Sequence, residues 1–432
     1  MKITLIAALI VFLALGCGDD ANTNVANNSG NATPAPSSSD AKATRDKANA
    51  IAKKAWSYLE ANYNKSTGNP LDDTWGPNCN VAFSGMILHG ALRCGLIKPD
   101  DQRVRDTVDA MVKQQQPTGQ WTLGGSNAVY TTSIAYLTLA WLRDNGGAAY
   151  REQLSGRLDK AREYLTNSQV GAPKSPLADV KKETDSTYGG WAYSKEELAD
   201  PKNAGKPKAN LSTTSFAIEA ASAFGLKPDD PLWQRALTYL ERNHNSAEVS
   251  KGLVIRTAEG KEVVDPPAGD PNAGGARYSP DTSKANEIDM GDGKVMLRSY
   301  GSMTYALLSC YMAAGLKRTD PRVELAYKWI THNFSVSRVP GYVNTENLQT
   351  ADQQGLYYQY MQMGRALSLY GSDMFKDSNN IEVYWKKDLV AQLERSQKPE
   401  GYWKNDKQDR WYENLPMICT GYVLSALADV MK

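Results

Sequence analysis

Residues 114–121 (QQQPTGQW) and residues 129–134 (VYTTSI) form one copy of the helical phrase that decides the fold of this chain. The first stretch reads as a turn rich in glutamine, glycine and tryptophan, and the second opens a helix of small residues. The same helix start recurs at residues 81–86 (VAFSGM), 211–216 (LSTTSF), 298–303 (RSYGSM), 356–360 (LYYQY) and 417–422 (MICTGY). Repeated helix pairs bury their apolar faces against neighbouring copies, and six pairs can close into a ring.

Each repeat is expected to combine a charged outer helix with an inner helix of small residues. The outer helix of repeat 1 lies near residues 44–62 and its inner helix near 80–94. The other repeats run over about residues 101–144, 150–224, 231–315, 321–371 and 384–431. Asp230-Pro231 and Asp320-Pro321 favour helix starts. A glycine in the left-handed conformation can close a helix. This predicts inner-helix ends at Gly95, Gly146, Gly225, Gly315 and Gly371.

The first residues are typical of a secretion signal. Lys2 supplies a positive start, and residues 3–15 are an apolar run that is too short to cross a bilayer as a helix. Residues 14–17 (ALGC) resemble a bacterial lipoprotein box, which implies cleavage before Cys17 and lipidation of that cysteine. We therefore expect a signal peptide over residues 1–16, a lipid-anchored flexible linker over 17–44 and a folded ring over 45–432. This organisation implies export and a membrane anchor facing the periplasm or exterior.

Charge and aromatic composition restrict the possible partners. The chain has 49 basic and 48 acidic residues, which gives no support for nucleic-acid binding or for charge-driven membrane contact. Its aromatic residues include 23 Tyr but only 6 Phe. Tyrosine combines a flat apolar face with a polar group, so this composition favours an amphipathic ligand or a wet cavity.

The phrases at residues 115–121 (QQPTGQW), 189–191 (GGW) and 397–403 (QKPEGYW) resemble the repeats of squalene–hopene cyclases and protein prenyltransferases. The resemblance covers nearly all of residues 45–432. It implies an all-α (α/α)6 toroid of the terpenoid cyclase and protein prenyltransferase type, with a central cavity. Repeats 3 and 4 have long connections, at about residues 168–210 and 245–297, which are expected on one rim. Their glycine–aromatic phrases, residues 189–193 and 274–278, are expected to form short hairpins.

The catalytic motifs of those families are not matched. The cyclases use Asp-x-Asp-Asp-Thr, and the nearest string here, at residues 70–75, has Pro70 in place of the first Asp and is expected to serve as a turn or cap. The transferases bind zinc through Asp, Cys and His. This chain has three His, none of them near a suitable Cys and Asp pair. We therefore expect no metal site and no cofactor.

Glu219 is the sharpest candidate for a catalytic group. It interrupts an apolar stretch and continues a polar stripe with Ser212, Ser215 and Ser222 at helical spacing. His89 holds the equivalent place in repeat 1. If the stripe faces the lumen, Glu219 is a candidate acid or base, or a ligand-binding group, with a raised pKa. The alternative is a carboxylate paired with a neighbouring Arg or Tyr.

Ligand-binding candidates are the aromatic and cationic residues of the connecting loops and inner-helix starts. The same residues could instead pack between repeats. Glu413 is either a rim carboxylate or a partner of Arg410. The ligand candidates are Trp75, His89, Trp121, Trp191, Tyr193, Arg277, Tyr278, Arg298, Tyr300, Tyr357, Tyr358 and Trp411.

Three functions remain open from the sequence. The first is a membrane-tethered lipoprotein that binds a ligand in its central cavity. The second is an active terpenoid- or isoprenoid-processing enzyme with an unrecognised acid such as Glu219. The third is a glycan-binding or polysaccharide-degrading toroid.

Overall fold

The computed structural model describes residues 35–69, 71–122, 127–194, 209–250 and 252–432. These residues form twelve α-helices in six consecutive pairs. The outer helices are α1 (Ser38–Ala61), α3 (Gln102–Gln114), α5 (Ala148–Asn167), α7 (Pro231–Asn243), α9 (Pro321–His332) and α11 (Trp385–Ser396). The inner helices are α2 (Val81–Arg93), α4 (Ala128–Asn145), α6 (Leu211–Ser222), α8 (Gly301–Ala313), α10 (Leu356–Tyr370) and α12 (Pro416–Val430).

The six inner helices form a closed ring. Each packs against the next one along the chain, and α12 packs against α2 to complete the circle. Inner helices are buried on nearly every side, as in α8, where every residue from Gly301 to Tyr311 is buried. Outer helices bury one stripe and leave their charged face in solvent. The chain is therefore the all-α (α/α)6 toroid that the sequence predicts.

Short strands occupy two of the connections. Strands β1 (Ile255–Arg256), β2 (Glu262–Val263), β3 (Glu287–Gly291) and β4 (Lys294–Leu297) form a sheet in the order β1-β2-β4-β3 before α8. Within it, β3 and β4 are an antiparallel hairpin, whereas β2 and β4 run parallel. Strands β5 (Met374–Lys376) and β6 (Glu382–Tyr384) pair before α11. No hairpin forms at residues 189–193 or 274–278, where short hairpins are expected: Trp191 and Ala276 each make one isolated bridge, with Gln169 and His244. The β3–β4 hairpin of repeat 4 lies further along the same loop. Residues 195–208 of the repeat 3 loop lie outside the described residues.

The repeated glutamine joins neighbouring repeats. Gln115 Nε2 donates to the carbonyl of Gly119 in its own turn and to that of Arg157 on α5, each at 2.9 Å. Gln397 Nε2 does the same with Gly401 at 2.8 Å and with Ile51 on α1 at 2.9 Å. The second contact links repeat 6 to repeat 1. One side chain thus holds its turn and binds the next outer helix.

The glycine of the phrase permits this close approach. Gly119 has φ +99°, and a Cβ added there would lie 2.3 Å from the Lys160 carbonyl oxygen on α5. Gly401 has φ +108°, and its Cβ would lie 2.4 Å from the carbonyl oxygen of Lys54 on α1. Only a residue without a side chain fits both the backbone conformation and the gap.

Helix ends follow the predicted chemistry in most places. The Asp230 and Asp320 carboxylates accept the N–H of Leu232 and Arg322 at 2.9 and 3.0 Å, so they cap α7 and α9. Four of the predicted glycines take positive φ (Gly95, Gly225, Gly315 and Gly371). Helix α4 also ends where predicted, with Gly146 as its C-cap, but Gly146 has φ −90° and the positive φ, +95°, is found at Gly147.

Two predicted boundaries also move. Helix α1 begins at Ser38, because the Ser37 hydroxyl accepts the Asp40 N–H; residues 38–44 are therefore helical instead of belonging to the linker. In repeat 4, the residue equivalent to Thr132 is Thr304, not Gly301. Thr304 Oγ1 accepts the Ala276 N–H at 3.0 Å, just as Thr132 Oγ1 accepts that of Trp121. The repeat in the fourth inner helix is thus displaced by three residues from the position that the sequence pattern predicts.

Residues 1–16, where a signal peptide is expected, and Cys17 lie outside the described residues. Within the described ranges, no helix combines the length and apolar character needed to cross a membrane.

Candidate functional site

One stripe of each inner helix faces the interior of the ring. On α2 it includes Met86 and His89, and on α10 it includes Tyr358 and Arg365. Residues three and four apart share a helix face, so each stripe runs the length of its helix. The early positions line a cavity at the end where the inner helices begin, and the late positions line a second cavity at the opposite end. We call them the apolar cavity and the polar cavity.

The apolar cavity has a volume of about 270 Å³, close to the lower end of the usual range for ligand sites. Its wall is mainly aliphatic and aromatic, with tyrosines from the inner helices and from the loops. The main side chains are Phe83, Met86, Tyr130, Ile134, Tyr193, Tyr278, Tyr300, Met303, Tyr358, Ile418 and Tyr422.

Polar groups are concentrated towards the loop side of the apolar cavity. The hydroxyl groups of Tyr193 and Tyr278 are hydrogen bonded at 2.6 Å. Lys284 Nζ lies 4.5 Å from the centre of the Tyr278 ring. Burial lowers the pKa of Lys284, and the nearby Arg410 guanidinium lowers it further. The cavity therefore offers an apolar body together with hydroxyl and ammonium donors.

Two exposed aromatic residues complete this side of the cavity. Trp411 and Tyr412 are 42% and 55% exposed and lie in a short 3₁₀ turn, Arg410–Tyr412. Both have positive φ, 59° and 64°, which is uncommon for bulky residues. The Arg410 guanidinium lies 4.5 Å from the Trp411 ring centre. Strained backbone of this kind concentrates at ligand sites.

Glu413 is the buried carboxyl group in the wall of the apolar cavity. Its Oε1 accepts the backbone N–H of Tyr358 at 2.9 Å, in the first turn of α10, and its Oε2 accepts from Asn405 Nδ2 at 2.8 Å. Burial raises the pKa of Glu413 to about 7, against the lowering effect of these hydrogen bonds. It is neither an open rim carboxylate nor an ion-pair partner of Arg410, because both oxygens are committed to Asn405 and α10.

A hydrogen-bonded group lies between the two cavities. The Tyr358 hydroxyl accepts from Gln362 Nε2 at 3.0 Å and from Ser212 Oγ at 3.1 Å. Gln362 is fully buried and also reaches Ser215 Oγ at 3.5 Å. We call these side chains the partition. They come from α6 and α10, which both pack against α8 and are separated by it in the ring.

The polar cavity has a volume of about 370 Å³. Glu219 lies in it as an ion-pair partner of Arg365, and Arg93 pairs with Asp429. Burial raises the pKa of Glu219, whereas Arg365 and Arg93 oppose the rise. Burial and the neighbouring cations lower the pKa of His89 well below its ordinary value. The predicted stripe does face the interior, but Glu219 is the paired carboxylate of the alternative interpretation, remote from the apolar cavity.

The structure brings five of the predicted ligand residues into the apolar cavity. These are Tyr193, Tyr278, Tyr300, Tyr358 and Trp411. Tyr357 follows the same helix turn but is directed to the other side of α10, where it lines a surface depression with Tyr360 and Gln392. His89 lines the polar cavity instead.

The tryptophans of the repeated phrase have a structural role. Trp75, Trp121 and Trp191 are buried, and their indole N–H groups donate to carbonyls of the preceding outer helix, those of Leu59, Met111 and Leu165. None of the three lines the apolar cavity, because the indole is directed between the inner and outer helices of its repeat. The three tryptophans are therefore core residues of their repeats and not the ligand residues that the sequence predicts.

The two predicted arginines also lie elsewhere. Arg277 is buried, donates to the Arg242 carbonyl at 2.9 Å and pairs with Asp265 at 3.2 Å. Arg298 follows strand β4 and is half-buried, and its carbonyl accepts from Ser283 Oγ. Both therefore belong to the loop of repeat 4 and not to the cavity wall.

The string that contains Asp72 and Asp73 closes the ring. Asp73 Oδ1 accepts the Met417 N–H at 2.7 Å, at the start of α12, and its Oδ2 accepts from the Tyr58 hydroxyl at 2.6 Å. Asp72 accepts from Thr67 N at 2.6 Å within its own turn. These contacts confirm the turn and cap roles expected for both carboxylates.

Among the side chains that the structure describes, no group of three or more His, Cys, Asp or Glu is placed to hold a metal ion. Sequence reasoning missed much of the apolar wall (Phe83, Met86, Tyr130, Ile134, Lys284, Met303, Ile418 and Tyr422). The spacing of four residues between Tyr130 and Ile134, or between Ile418 and Tyr422, is the signal that could have found these positions.

Comparison with known proteins gives similarity of fold at low identity. No family model matches the chain, and no curated protein matches it. The type II terpene cyclase MstE from Scytonema, in complex with geranylgeranyl dihydroxybenzoate, is 15% identical over 90% of this chain and 99% of that one, with a TM-score of 0.45. An unsaturated glucuronyl hydrolase specific for heparin is 11% identical, over 89% of this chain and 97% of that one, with a TM-score of 0.47. A family 76 glycoside hydrolase from a bovine Bacteroides thetaiotaomicron strain is 10% identical, over 88% and 77%, with a TM-score of 0.45.

Proposed function

We propose that this protein is an exported lipoprotein, tethered to a bacterial membrane through Cys17, whose ring binds an apolar small molecule. The tether is inferred from residues 1–44, where an apolar signal is followed by the ALGC box and a segment rich in Asn, Ala, Ser and Thr. The ligand is inferred from the apolar cavity.

The observation that carries the proposal is the chemistry of that cavity. Aliphatic side chains such as Met86, Ile134 and Met303 supply contacts that favour a hydrocarbon body. Tyrosine hydroxyls and Lys284 supply a few polar contacts towards the loops. Apolar walls with a few polar groups are typical of small-molecule sites. An isoprenoid alcohol, with a hydrocarbon chain and one hydroxyl, has this combination of groups.

Binding is favoured over alkene protonation. Glu219 is paired with Arg365 and lies in the polar cavity, so it does not reach a ligand in the apolar one. Glu413 lies in the wall of the apolar cavity, but one of its carboxyl oxygens accepts from the Tyr358 N–H and the other from Asn405 Nδ2. An acid that protonates a hydrocarbon must direct its own proton at the ligand. Neither carboxyl group is arranged to do so.

Equilibrium binding of tritiated farnesol to the full chain in lipid nanodiscs tests the proposal. We expect saturable binding that is lost in Met303→Trp, because Met303 is 2% exposed and lines the cavity, so that the larger indole fills it. Met290→Trp is the matched control, since Met290 is 49% exposed on β3. Absence of saturable binding, or equal binding by Met303→Trp, would overturn the proposal.

A glycan is the second candidate ligand. The observation that favours it is the pair of exposed rings at Trp411 and Tyr412, since aromatic faces can cover apolar surfaces of a sugar. The same nanodisc preparation titrated with maltohexaose distinguishes the two ligands. Binding of maltohexaose that is lost in Trp411→Ala but retained in Met303→Trp would place a glycan on the loops in preference to an apolar ligand inside the ring.

A further inference from the structure

The polar cavity contains hydrogen-bonding groups that the proposed apolar ligand does not use. It lies at the end of the ring where the inner helices finish, beyond the partition. Three cationic side chains and two carboxylates line it, namely Arg93, Arg365, Lys432, Glu219 and Asp429. Each arginine has five N–H donors and pairs with one carboxylate, Arg365 with Glu219 and Arg93 with Asp429. Each guanidinium therefore has further N–H donors beyond those used in its ion pair.

Two polar atoms near this cavity lack hydrogen-bond partners within the described part of the chain. Arg365 Nη1 and Gln362 Oε1 are buried without a hydrogen-bond partner there. A buried polar group without a hydrogen-bond partner destabilises the folded protein, so a ligand that supplies a partner is favoured. His89 also faces the cavity, and the lowering of its pKa keeps the imidazole neutral. A neutral imidazole can either donate or accept a hydrogen bond.

Serine hydroxyls from two inner helices present a second kind of group. Ser215 and Ser222 on α6 donate to the carbonyls of Ser212 and Glu219, at 2.8 and 2.6 Å. Ser309 on α8 donates to the Ala306 carbonyl at 2.8 Å. Each hydroxyl donates its hydrogen bond to a carbonyl of its own helix, so towards a ligand its oxygen acts as an acceptor.

We infer that the polar cavity is a second binding site, which takes a small hydroxylated organic acid. The carboxylate of such a ligand fits the guanidinium donors of Arg365 and Arg93, which favour planar oxyanions. Its hydroxyl groups fit the serine acceptors. A simple fatty acid lacks the hydroxyls, and a neutral polyol lacks the carboxylate. The combination of arginine donors and serine acceptors is what defines the class.

Calorimetric titration of the full chain in nanodiscs, at constant ionic strength, tests the inference with three matched probes. Gluconate carries both groups, hexanoate has the carboxylate alone, and sorbitol has the hydroxyls alone. We expect saturable binding of gluconate, with hexanoate and sorbitol each at least about tenfold weaker, the change expected when one set of contacts is lost. No saturable binding of gluconate, or equal binding of hexanoate or sorbitol, would overturn the inference.

Variants assign the site. The double variant Arg365→Gln/Glu219→Gln removes both charges of the pair together, so it leaves no unpaired buried ion. It should weaken gluconate binding by about tenfold or more, in line with the loss of a charged contact. Arg318→Gln is the control, since Arg318 donates to the Gly371 carbonyl outside the cavity. Unchanged affinity in the double variant would refute the assignment.

A serine variant keeps the inference testable if the double variant does not fold. Ser309→Ala removes one acceptor and leaves both ion pairs intact. It should weaken gluconate binding and leave the weaker hexanoate binding unchanged. An equal effect on both acids would exclude a role for the hydroxyl acceptors and contradict the hydroxy-acid class.

Discussion

Glu413 Oε1 accepts the backbone N–H of Tyr358, at 2.9 Å, so that a carboxyl group from repeat 6 caps an inner helix of repeat 5. The residue that precedes α10 is Gly355, which has no side chain with which to cap the helix itself. The N–H groups in the first turn of a helix have no acceptor within the helix, and together with the helix dipole they attract a carboxylate. Glu413 supplies one across the junction of two repeats, in the wall of the apolar cavity.

The buried Glu413 carboxyl predicts a pH-dependent stability. Its pKa is about 7 in the folded protein against an ordinary 4.5, so the folded state holds the proton more tightly. The resulting stabilisation of the folded state is on the order of 3 kcal/mol; it is fully present below about pH 4.5 and is lost as the pH rises through 7. For Glu413→Gln, the free energy of unfolding measured with urea should no longer show this decline between pH 4.5 and 7. For Glu400→Gln, at an exposed position, the decline should remain. An identical pH profile for both variants would contradict the prediction.

The repeated glutamine predicts a stability effect at the ring junctions. Gln397→Leu removes the donor to the Ile51 and Gly401 carbonyls, and Gln115→Leu removes the equivalent donor in repeat 2. Each should lower the free energy of unfolding by about 1–3 kcal/mol, because carbonyls are left unpaired. Gln116→Leu, next in the chain and exposed, is the control. Chemical denaturation that finds Gln115→Leu no worse than Gln116→Leu would exclude the bridging role.

A pair of glycines separates backbone strain from steric overlap. Gly119 and Gly147 have similar φ, +99° and +95°, but a Cβ at Gly119 would overlap the Lys160 carbonyl whereas the space around Gly147 is open. Gly147→Ala should cost about 1–3 kcal/mol from backbone conformation alone. Gly119→Ala should cost more, because α5 must also move. Equal losses in thermal or urea unfolding would show that the close approach is unimportant.

The partition predicts coupling between two buried side chains. Tyr358→Phe removes the acceptor for Gln362 and Ser212 and should cost about 1–3 kcal/mol. Gln362→Leu in the same protein removes one of the donors left unpaired, so the two effects should be less than additive. The exposed Tyr412→Phe should have little effect. Strict additivity in the double-mutant cycle would mean that the two side chains do not interact in the folded protein.

The repeated phrase was sufficient to predict the ring because its contacts are local or reach only the next repeat. Gln115 bonds Gly119 four residues away and a carbonyl on the following outer helix, so its pattern survives in each copy. The cavity wall was predicted only in part. Inner helices such as α8 are buried all round, so apolar periodicity does not show which face meets the interior. Glu413 was misassigned because its partner on α10 is 55 residues away in sequence.

Closure of the ring also changes how the molecule can unfold. In an open array of repeats the first and last units have one neighbour each, and they fray before the centre unless special capping units protect them. Here α12 packs against α2, and both Gln397 and Asp73 join the last repeat to the first. Every repeat therefore has two neighbours, and loss of any one would break two junctions together. A ring of this kind has no weak end at which melting can start, which favours a single cooperative transition for all six repeats.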